Sequence, residues 1–204
     1  STPKKFNILC ANSQGIIDNC YNSDKDGNSE KYGIRPLEFA NFMCKMFNYW
    51  VHNAPSQSKE KRLIIEPIAS IICNLSKATV TWCEYREEKC SNFTCIYPNG
   101  EMWLCDNFIH ESMKETAYVK DIFEVSDSEL KEILLTPEKH CSFNEFYEKM
   151  MSPCRNCDIF EYCKGGCIST RYEMQKKSPE LHEEYCEAKK LLINHHIIIT
   201  MKNI

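Results

Sequence analysis

The sequence predicts an α+β protein in which helices at both ends of the chain flank a short β-hairpin and a cysteine-rich segment. Apolar residues recur with helical spacing in the first part of the chain and again near its end. Between these helices, Asn99-Gly100 separates two short runs of β-forming residues, which is a strong signal for a hairpin. The third observation is the run CRNCDIFEYCKGGC at 154–167, whose density of cysteines no helix or strand requires.

Composition narrows the class of protein. The 204 residues are 43% hydrophobic, which is enough for a folded core. The formal net charge of -4, with both signs mixed along the chain, argues against a general nucleic-acid binder. No apolar run is long enough for a membrane span, and residues 1–10 lack the apolar core of a signal peptide. We therefore expect a cytoplasmic protein that binds neither nucleic acid nor membrane.

The first elements are predicted from the spacing of apolar residues and from the positions of Pro, Gly and polar residues between them. Residues 6–9 form a short apolar run that predicts a strand, and the Asn-, Asp-, Ser- and Gly-rich segment 11–31 predicts a loop. A helix is predicted over 36–51, because its initial Pro suits the first turn and a broad apolar face follows. A strand is predicted over 62–65, and a second apolar helix over 66–75.

The predicted hairpin has a consequence for the cysteines beside it. Its strands are expected within 93–97 and 101–104, and Gly100 supplies the positive φ that the turn needs. Cys90 and Cys105 then lie at the open ends of the hairpin. We expect both thiols to reach one site.

The remaining elements are predicted mainly from capping patterns. Residues 106–125 show no period and are expected to be irregular. Ser126-Asp127-Ser128-Glu129 is a capping box that opens a helix ending near Leu135, and Ser142-Phe143-Asn144-Glu145 repeats the pattern. Ser178 followed by Pro179 predicts the start of a last helix, which contains Cys186.

The fourteen cysteines can be explained in two ways. A disulfide-rich secreted scaffold is one alternative, but such scaffolds are usually short chains with little hydrophobic core. A dense cysteine cluster without a secretory signal favours ligands for a metal ion or an iron–sulfur cluster in a reducing compartment.

The cysteine spacing divides eight residues into two sets. The segment 154–167 reads C-x2-C-x5-C-x3-C, and the pair upstream reads C-x9-G-x4-C. The first cysteine set is Cys83, Cys90, Cys105 and Cys167; the second cysteine set is Cys154, Cys157, Cys163 and Cys186. Gly165 and Gly166 allow a sharp turn between the sets. Structural zinc commonly uses two C-x2-4-C pairs, one on each side of the ion. Here only one clean C-x2-C is present and the other cysteines are irregularly spaced, so the spacing favours four-iron clusters and leaves zinc as an alternative.

These motifs resemble those of a known family. The cysteine pattern is similar to the SPASM domain of radical S-adenosylmethionine (SAM) enzymes that modify peptides and proteins. The segments FNILC, PLEFANFMCKMFNYW, YPNGEMWLCDNFI and CKGGCISTRY are similar to the C-terminal half of anaerobic sulfatase maturases. The resemblance implies that residues 1–80 form the last part of a (β/α) barrel and that residues 81–204 form a SPASM domain.

The resemblance also implies cofactors and residue roles. The two cysteine sets would each bind one 4Fe-4S cluster. Asp106, directly after Cys105, would be the base in the oxidation of a substrate Cys or Ser to formylglycine; by itself it would be interpreted as a solvent-facing or capping residue. Arg171 matches a recurrent Arg that forms either an ion pair or a substrate contact. The six other cysteines match no ligand position and are expected to be free thiols: Cys10, Cys20, Cys44, Cys73, Cys95 and Cys141.

One motif of the resembled family is missing. The sequence contains no C-x3-C-x2-C, the loop that binds the SAM-cleaving cluster in radical SAM enzymes. We therefore expect the chain alone to be inactive in SAM cleavage, with SAM bound only in a parent or partner protein.

Three hypotheses follow. The chain is part of a radical SAM oxidoreductase that acts on a peptide or protein such as a sulfatase, and the rest of the enzyme is a missing N-terminal half. Alternatively, it is a standalone SPASM module for substrate binding or electron transfer, which acts with a separate radical SAM partner. A weaker alternative is a zinc-binding interaction protein.

Overall fold

A computed structural model describes most of the chain. The described residues are 5–7, 34–53, 64–80, 82–87, 89–91, 93–109 and 111–202. The predicted loop at 11–31 and the free thiols expected at Cys10 and Cys20 lie outside them. Within the described part, no helix has the length and apolarity that crossing a membrane would require.

Helices dominate the described residues, as the sequence patterns predict. The α-helices are α1 (Pro36–Asn53), α2 (Ile68–Leu75), α3 (Lys114–Ala117), α4 (Asp127–Leu135), α5 (Phe143–Arg155), α6 (Phe160–Cys163), α7 (Ile168–Lys177) and α8 (Pro179–Lys202). Short 3-10 turns include Cys83–Tyr85 and Asp106–Phe108. The predicted helices at 36–51 and after Ser178 are confirmed, and the first continues to Asn53.

Two small sheets complete the fold. The strands are β1 (Lys5–Asn7), β2 (Ile64–Glu66), β3 (Cys95–Ile96), β4 (Glu101–Trp103) and β5 (Tyr118–Asp121). Strands β1 and β2 are parallel, and β3, β4 and β5 form an antiparallel sheet in that order. Cys95 lies opposite Trp103, and Gly100 has a φ of 93° in the turn between β3 and β4. The hairpin predicted from Asn99-Gly100 is thus confirmed, and the chain combines helices with an antiparallel sheet.

The expectation for residues 106–125 was wrong. The described residues of this segment include three 3-10 turns, the helix α3 and the strand β5, which is the third strand of the antiparallel sheet. Lys120 lies opposite Met102 of β4. Strand β5 has no alternation of apolar and polar residues, so it is stabilised by pairing with β4 and not by a pattern that the sequence displays.

The two larger buried cores include cysteines of different sets. In the first core, α1 packs along α8, and α8 also contacts α2; its buried members include Met43, Phe47, Ile68, Ile71, Tyr85, Cys163 and Ile193. The second core lies between the antiparallel sheet and α5; its buried members include Cys90, Met102, Leu104, Phe108, Phe143 and Met151. Each core therefore contains one member of a different cysteine set.

The two predicted capping boxes differ. The Ser126 hydroxyl accepts a hydrogen bond from the Glu129 N–H at 3.4 Å and caps α4 as predicted. Helix α5 begins at Phe143, but the side chain of Ser142 makes no capping hydrogen bond. The capping box expected at Ser142 is therefore wrong, although the helix it predicts is present.

Candidate functional site

The second cysteine set surrounds one small cavity. Cys154 lies in the last turn of α5, Cys157 follows that helix, Cys163 ends α6, and Cys186 lies on α8. All four thiols line a cavity of about 40 Å³. Since α8 is distant in sequence from 154–163, only the tertiary fold brings Cys186 to the other three.

The first cysteine set joins four separate segments. Cys83 begins a 3-10 turn, Cys90 has a φ of 68°, Cys105 follows β4, and Cys167 precedes α7. Burial raises the pKa of Cys83 and of Cys90, and the negative charge of a neighbouring Cys167 thiolate raises both further. Burial likewise raises the pKa of Cys105, and Cys90 is among the groups that add to this rise. Cys167 thus acts electrostatically on Cys83 and Cys90, and Cys90 acts on Cys105.

The turn between Cys163 and Cys167 separates the two sets. Lys164, Gly165 and Gly166 all have positive φ, of 52°, 79° and 67°. A Cβ on Gly166 would lie 2.5 Å from the Tyr185 hydroxyl, so only glycine fits there. The predicted sharp turn is confirmed, and it directs Cys163 and Cys167 to different groups of cysteines.

A buried polar network connects the first cysteine set to α8. Glu84, next to Cys83, accepts hydrogen bonds from Lys189 at 2.5 Å and from the Tyr185 hydroxyl at 2.7 Å. The Tyr185 hydroxyl also accepts a hydrogen bond from the Cys167 N–H at 3.2 Å. Burial tends to raise the pKa of Glu84, but the charge of Lys189 and the hydrogen bonds outweigh burial, so the pKa is lowered. The ion pair therefore stays charged while it holds Cys83 and Cys167 in place.

Sequence reasoning missed the members of this network. Glu84 and Lys189 lie in stretches rich in charged residues, which are typical of solvated surfaces. Their side chains are nevertheless only 15% and 12% exposed. The only available signal was the adjacency of Glu84 to Cys83 and of Tyr185 to Cys186.

Buried cations accompany both sets. Lys89, which is 3% exposed, donates hydrogen bonds to backbone carbonyls on both sides of the turn between the sets. Arg171 is 2% exposed, lines the cavity of the second cysteine set and donates to the Gly165 carbonyl at 3.2 Å. The Arg171 Nε has no hydrogen-bond partner among the described residues. The side chain thus lines the cavity beside the cysteines and is hydrogen-bonded to a backbone carbonyl in the turn.

The donor set fits thiolate-bound iron clusters. Among the described residues, no three His, Cys, Asp or Glu side chains stand close enough to hold a single metal ion. A four-iron cluster makes a different demand, because each of its four thiolates binds its own iron. The four thiols around the cavity of the second cysteine set, the glycine turn beside it and the buried Arg171 suit an anionic cluster.

A larger pocket opens beside the first cysteine set. It has a volume of about 360 Å³, and its lining includes Asp106, Cys83, Cys167, Trp82 and Lys189. The Asp106 side chain is exposed, and its Oδ1 accepts a hydrogen bond from the Cys105 thiol at 3.3 Å. A carboxylate at this position can accept a proton from a molecule bound in the pocket.

The cysteines outside the two sets are free thiols where the structure describes them. They are Cys44, Cys73, Cys95 and Cys141. Burial raises the pKa of Cys44 to about 11, as is usual for an inert core thiol. The described members of both cysteine sets are free thiols as well, so the described part of the chain has no disulfides.

Sequence comparison identifies a relative. No protein-family model matches the chain. Over 148 residues, the chain is 21% identical to a serine-type anaerobic sulfatase-maturating enzyme of Bacteroides thetaiotaomicron. The alignment covers 72% of this chain and 33% of the relative, so the chain corresponds to about a third of that enzyme's length.

Solved structures give the same result for the fold. A structure of native anSMEcpe with bound AdoMet superposes with a TM-score of 0.61 at 20% identity, over 85% of this chain and 44% of that chain. A second structure, of anSMEcpe with bound AdoMet and a Cp18Cys peptide, gives a TM-score of 0.56 at 18% identity, over 89% and 46% of the two chains. The resemblance predicted from the sequence motifs is confirmed: in sequence and in fold, the chain is similar to part of an anaerobic sulfatase-maturating enzyme.

Proposed function

We propose that this chain is the auxiliary iron–sulfur portion of a radical SAM oxidoreductase that converts a Cys or Ser of a sulfatase to formylglycine. The observation that carries the proposal is the cavity lined by all four thiols of the second cysteine set, which include Cys186 from the distant helix α8. The similarity to a sulfatase-maturating enzyme over 72% of the chain supports the choice of reaction.

Each site has a proposed cluster and domain. The first cysteine set would hold one 4Fe-4S cluster and the second cysteine set another. Residues 81–204, which include both sets, would form the SPASM domain. Residues 1–80 would form the end of a barrel, and the parallel pairing of β1 with β2 supports that division.

The pocket beside the first cysteine set is the proposed place of reaction. When bound, the clusters supply acceptors for the electrons that the oxidation releases. Asp106 accepts a proton from the thiol or hydroxyl group of the substrate side chain, because its exposed carboxylate faces the 360 Å³ pocket. Trp82 and Phe39 line the same pocket and exclude water from the reacting side chain.

We assign the cleavage of S-adenosylmethionine (SAM, also written AdoMet) to a polypeptide segment outside these 204 residues. No C-x3-C-x2-C occurs in them, so the loop would belong to a further part of the protein or to a separate radical SAM partner. We expect no 5′-deoxyadenosine when this chain alone is incubated with AdoMet and a reductant. Formation of that product would overturn the assignment.

Iron quantitation tests the proposal directly. Chain purified without oxygen should be brown and contain about eight irons, with sulfide-to-iron absorption bands and electron paramagnetic resonance signals on reduction. Stoichiometric zinc without these bands would contradict it and favour a zinc-binding interaction protein. If iron is present, co-purification with a separate AdoMet-cleaving protein would favour the standalone module over part of a longer enzyme.

A further inference from the structure

Lys89 makes an unusual set of contacts. Its ammonium group donates hydrogen bonds to three backbone carbonyls: those of Glu84 at 3.1 Å, Gly166 at 2.7 Å, and Lys164. Three acceptors match the three N–H donors of an ammonium group. The residue is only 3% exposed, so water contributes little to its solvation.

Each contact of Lys89 lies one residue from a proposed ligand. Glu84 follows Cys83, Gly166 precedes Cys167, and Lys164 follows Cys163. Lys89 itself precedes Cys90. The ammonium group of Lys89 is therefore linked, through residues adjacent in sequence, to three cysteines of the first cysteine set and to one of the second.

Among the described residues, no carboxylate forms an ion pair with this buried ammonium group. Neutral carbonyls solvate an ammonium ion, but a charge in a poorly hydrated interior also requires compensation by an opposite charge. The buried charge of Lys189 is compensated in this way, because it forms an ion pair with Glu84 at 2.5 Å. Four thiolates around a four-iron core give a net negative charge, which is the compensation that Lys89 is placed to receive.

We propose that Lys89 is a positioning residue shared by both cluster sites, and that its charge raises the reduction potential of both clusters. A nearby positive charge favours the reduced cluster, which is the more negative state. The effect is larger at the first cysteine set, since three of the four neighbouring positions belong to it. This inference rests on the proposed binding of two clusters.

The test compares reduction potentials of variants of the iron-loaded protein. Lys89→Met removes the charge and keeps the length of the side chain, whereas Lys89→Arg keeps the charge. Both cluster potentials, measured by redox titration followed by electron paramagnetic resonance, should fall in Lys89→Met, and the first should fall more. They should stay near wild type in Lys89→Arg.

Two matched variants isolate the effect of a shared buried charge. Arg155 also adjoins a proposed ligand, Cys154, but it is exposed and paired with Glu148 at 2.6 Å, so Arg155→Gln should leave both potentials unchanged. Arg171 lines only the cavity of the second cysteine set, so Arg171→Met should lower only the second potential.

The outcomes separate this inference from the proposed function. Wild-type potentials in an iron-loaded Lys89→Met variant would overturn the role of Lys89 while leaving cluster binding intact. If Lys89→Met loses iron, Lys89→Arg decides: retained iron supports the need for the charge, and equal loss contradicts it. Wild-type protein without iron would instead refute the proposed function.

Discussion

At the scale of single residues, the environment of a side chain decides what it can do. Asp106 is exposed and lines the 360 Å³ pocket. His196 is the opposite case, because it is fully buried against the ring of Phe47, with a centroid distance of 3.9 Å. The first environment suits catalysis, and the second makes folding depend on pH.

Replacement of Asp106 by Asn should abolish most of the proposed oxidation without loss of iron. Asn has nearly the same shape but cannot accept the proton, so the rate of formylglycine formation should fall by about 10²- to 10⁴-fold. The rate is measured with a peptide substrate in a protein that combines this chain with the AdoMet-cleaving part. Unchanged turnover would exclude Asp106 as the base, and unchanged iron content shows that the first cysteine set is intact.

The unfolding free energy should decrease as the pH falls from about 6.5 to 4 because of His196. Burial lowers the pKa of this histidine from 6.5 to about 4. Between these values the unfolded chain binds a proton that the folded chain does not, so stability is full above the upper value and is lost on acidification. The loss attributable to His196 is about 3 kcal/mol.

Denaturant unfolding of wild type and His196→Leu at several pH values checks this. The difference between the two unfolding free energies should shrink by that amount on acidification. Phe47→Leu weakens the same contact without removing a titrating group, so its difference from wild type should not change with pH. A constant difference for His196→Leu would contradict the prediction.

At the scale of elements, local signals predict the structure where local interactions stabilise it. Asn99-Gly100 predicts the hairpin, because the turn conformation itself depends on a glycine with positive φ. Strand β5 was missed, because its stability comes from pairing with β4. Lys89 was missed for a related reason: it lies in the polar run EYREEK, and only the tertiary fold buries it.

Ser126 and Ser142, which precede α4 and α5, provide a matched pair of variants. Ser126→Ala removes a hydrogen bond to the Glu129 N–H and should lower the unfolding free energy by about 1 kcal/mol. Ser142→Ala should have almost no effect, because its hydroxyl makes no capping bond. Denaturant unfolding measures both. Equal losses in the two variants would show that the hydroxyl of Ser126 does not stabilise α4.

At the scale of the whole molecule, the two cysteine sets contribute buried residues to different cores. Cys163 belongs to the core of α1, α2 and α8, and Cys90 belongs to the core beneath the antiparallel sheet. The spacing of cysteines predicted the membership of both sets, and that partition stays a prediction until iron is measured. Spacing could not predict the ion pair of Glu84 with Lys189, because its partners are far apart in the sequence.

Cys157→Ala should remove one cluster and leave the other. Cys157 lines only the cavity of the second cysteine set, so iron content should fall from about eight to about four per chain. Cys73→Ala changes a thiol outside both sets and should keep the full iron content. Iron and sulfide analysis gives both values. Loss of all iron in Cys157→Ala would contradict the partition into independent sites.

The turn at Lys164, Gly165 and Gly166 also determines where the length of the chain can vary. Surface loops usually tolerate insertions, because closing a slightly longer loop costs little entropy. These three residues differ, since Cys163 before them and Cys167 after them face different groups of cysteines. One inserted or deleted residue would displace a thiol from each site at once. Natural or engineered changes of length in this protein should therefore be found elsewhere in the chain.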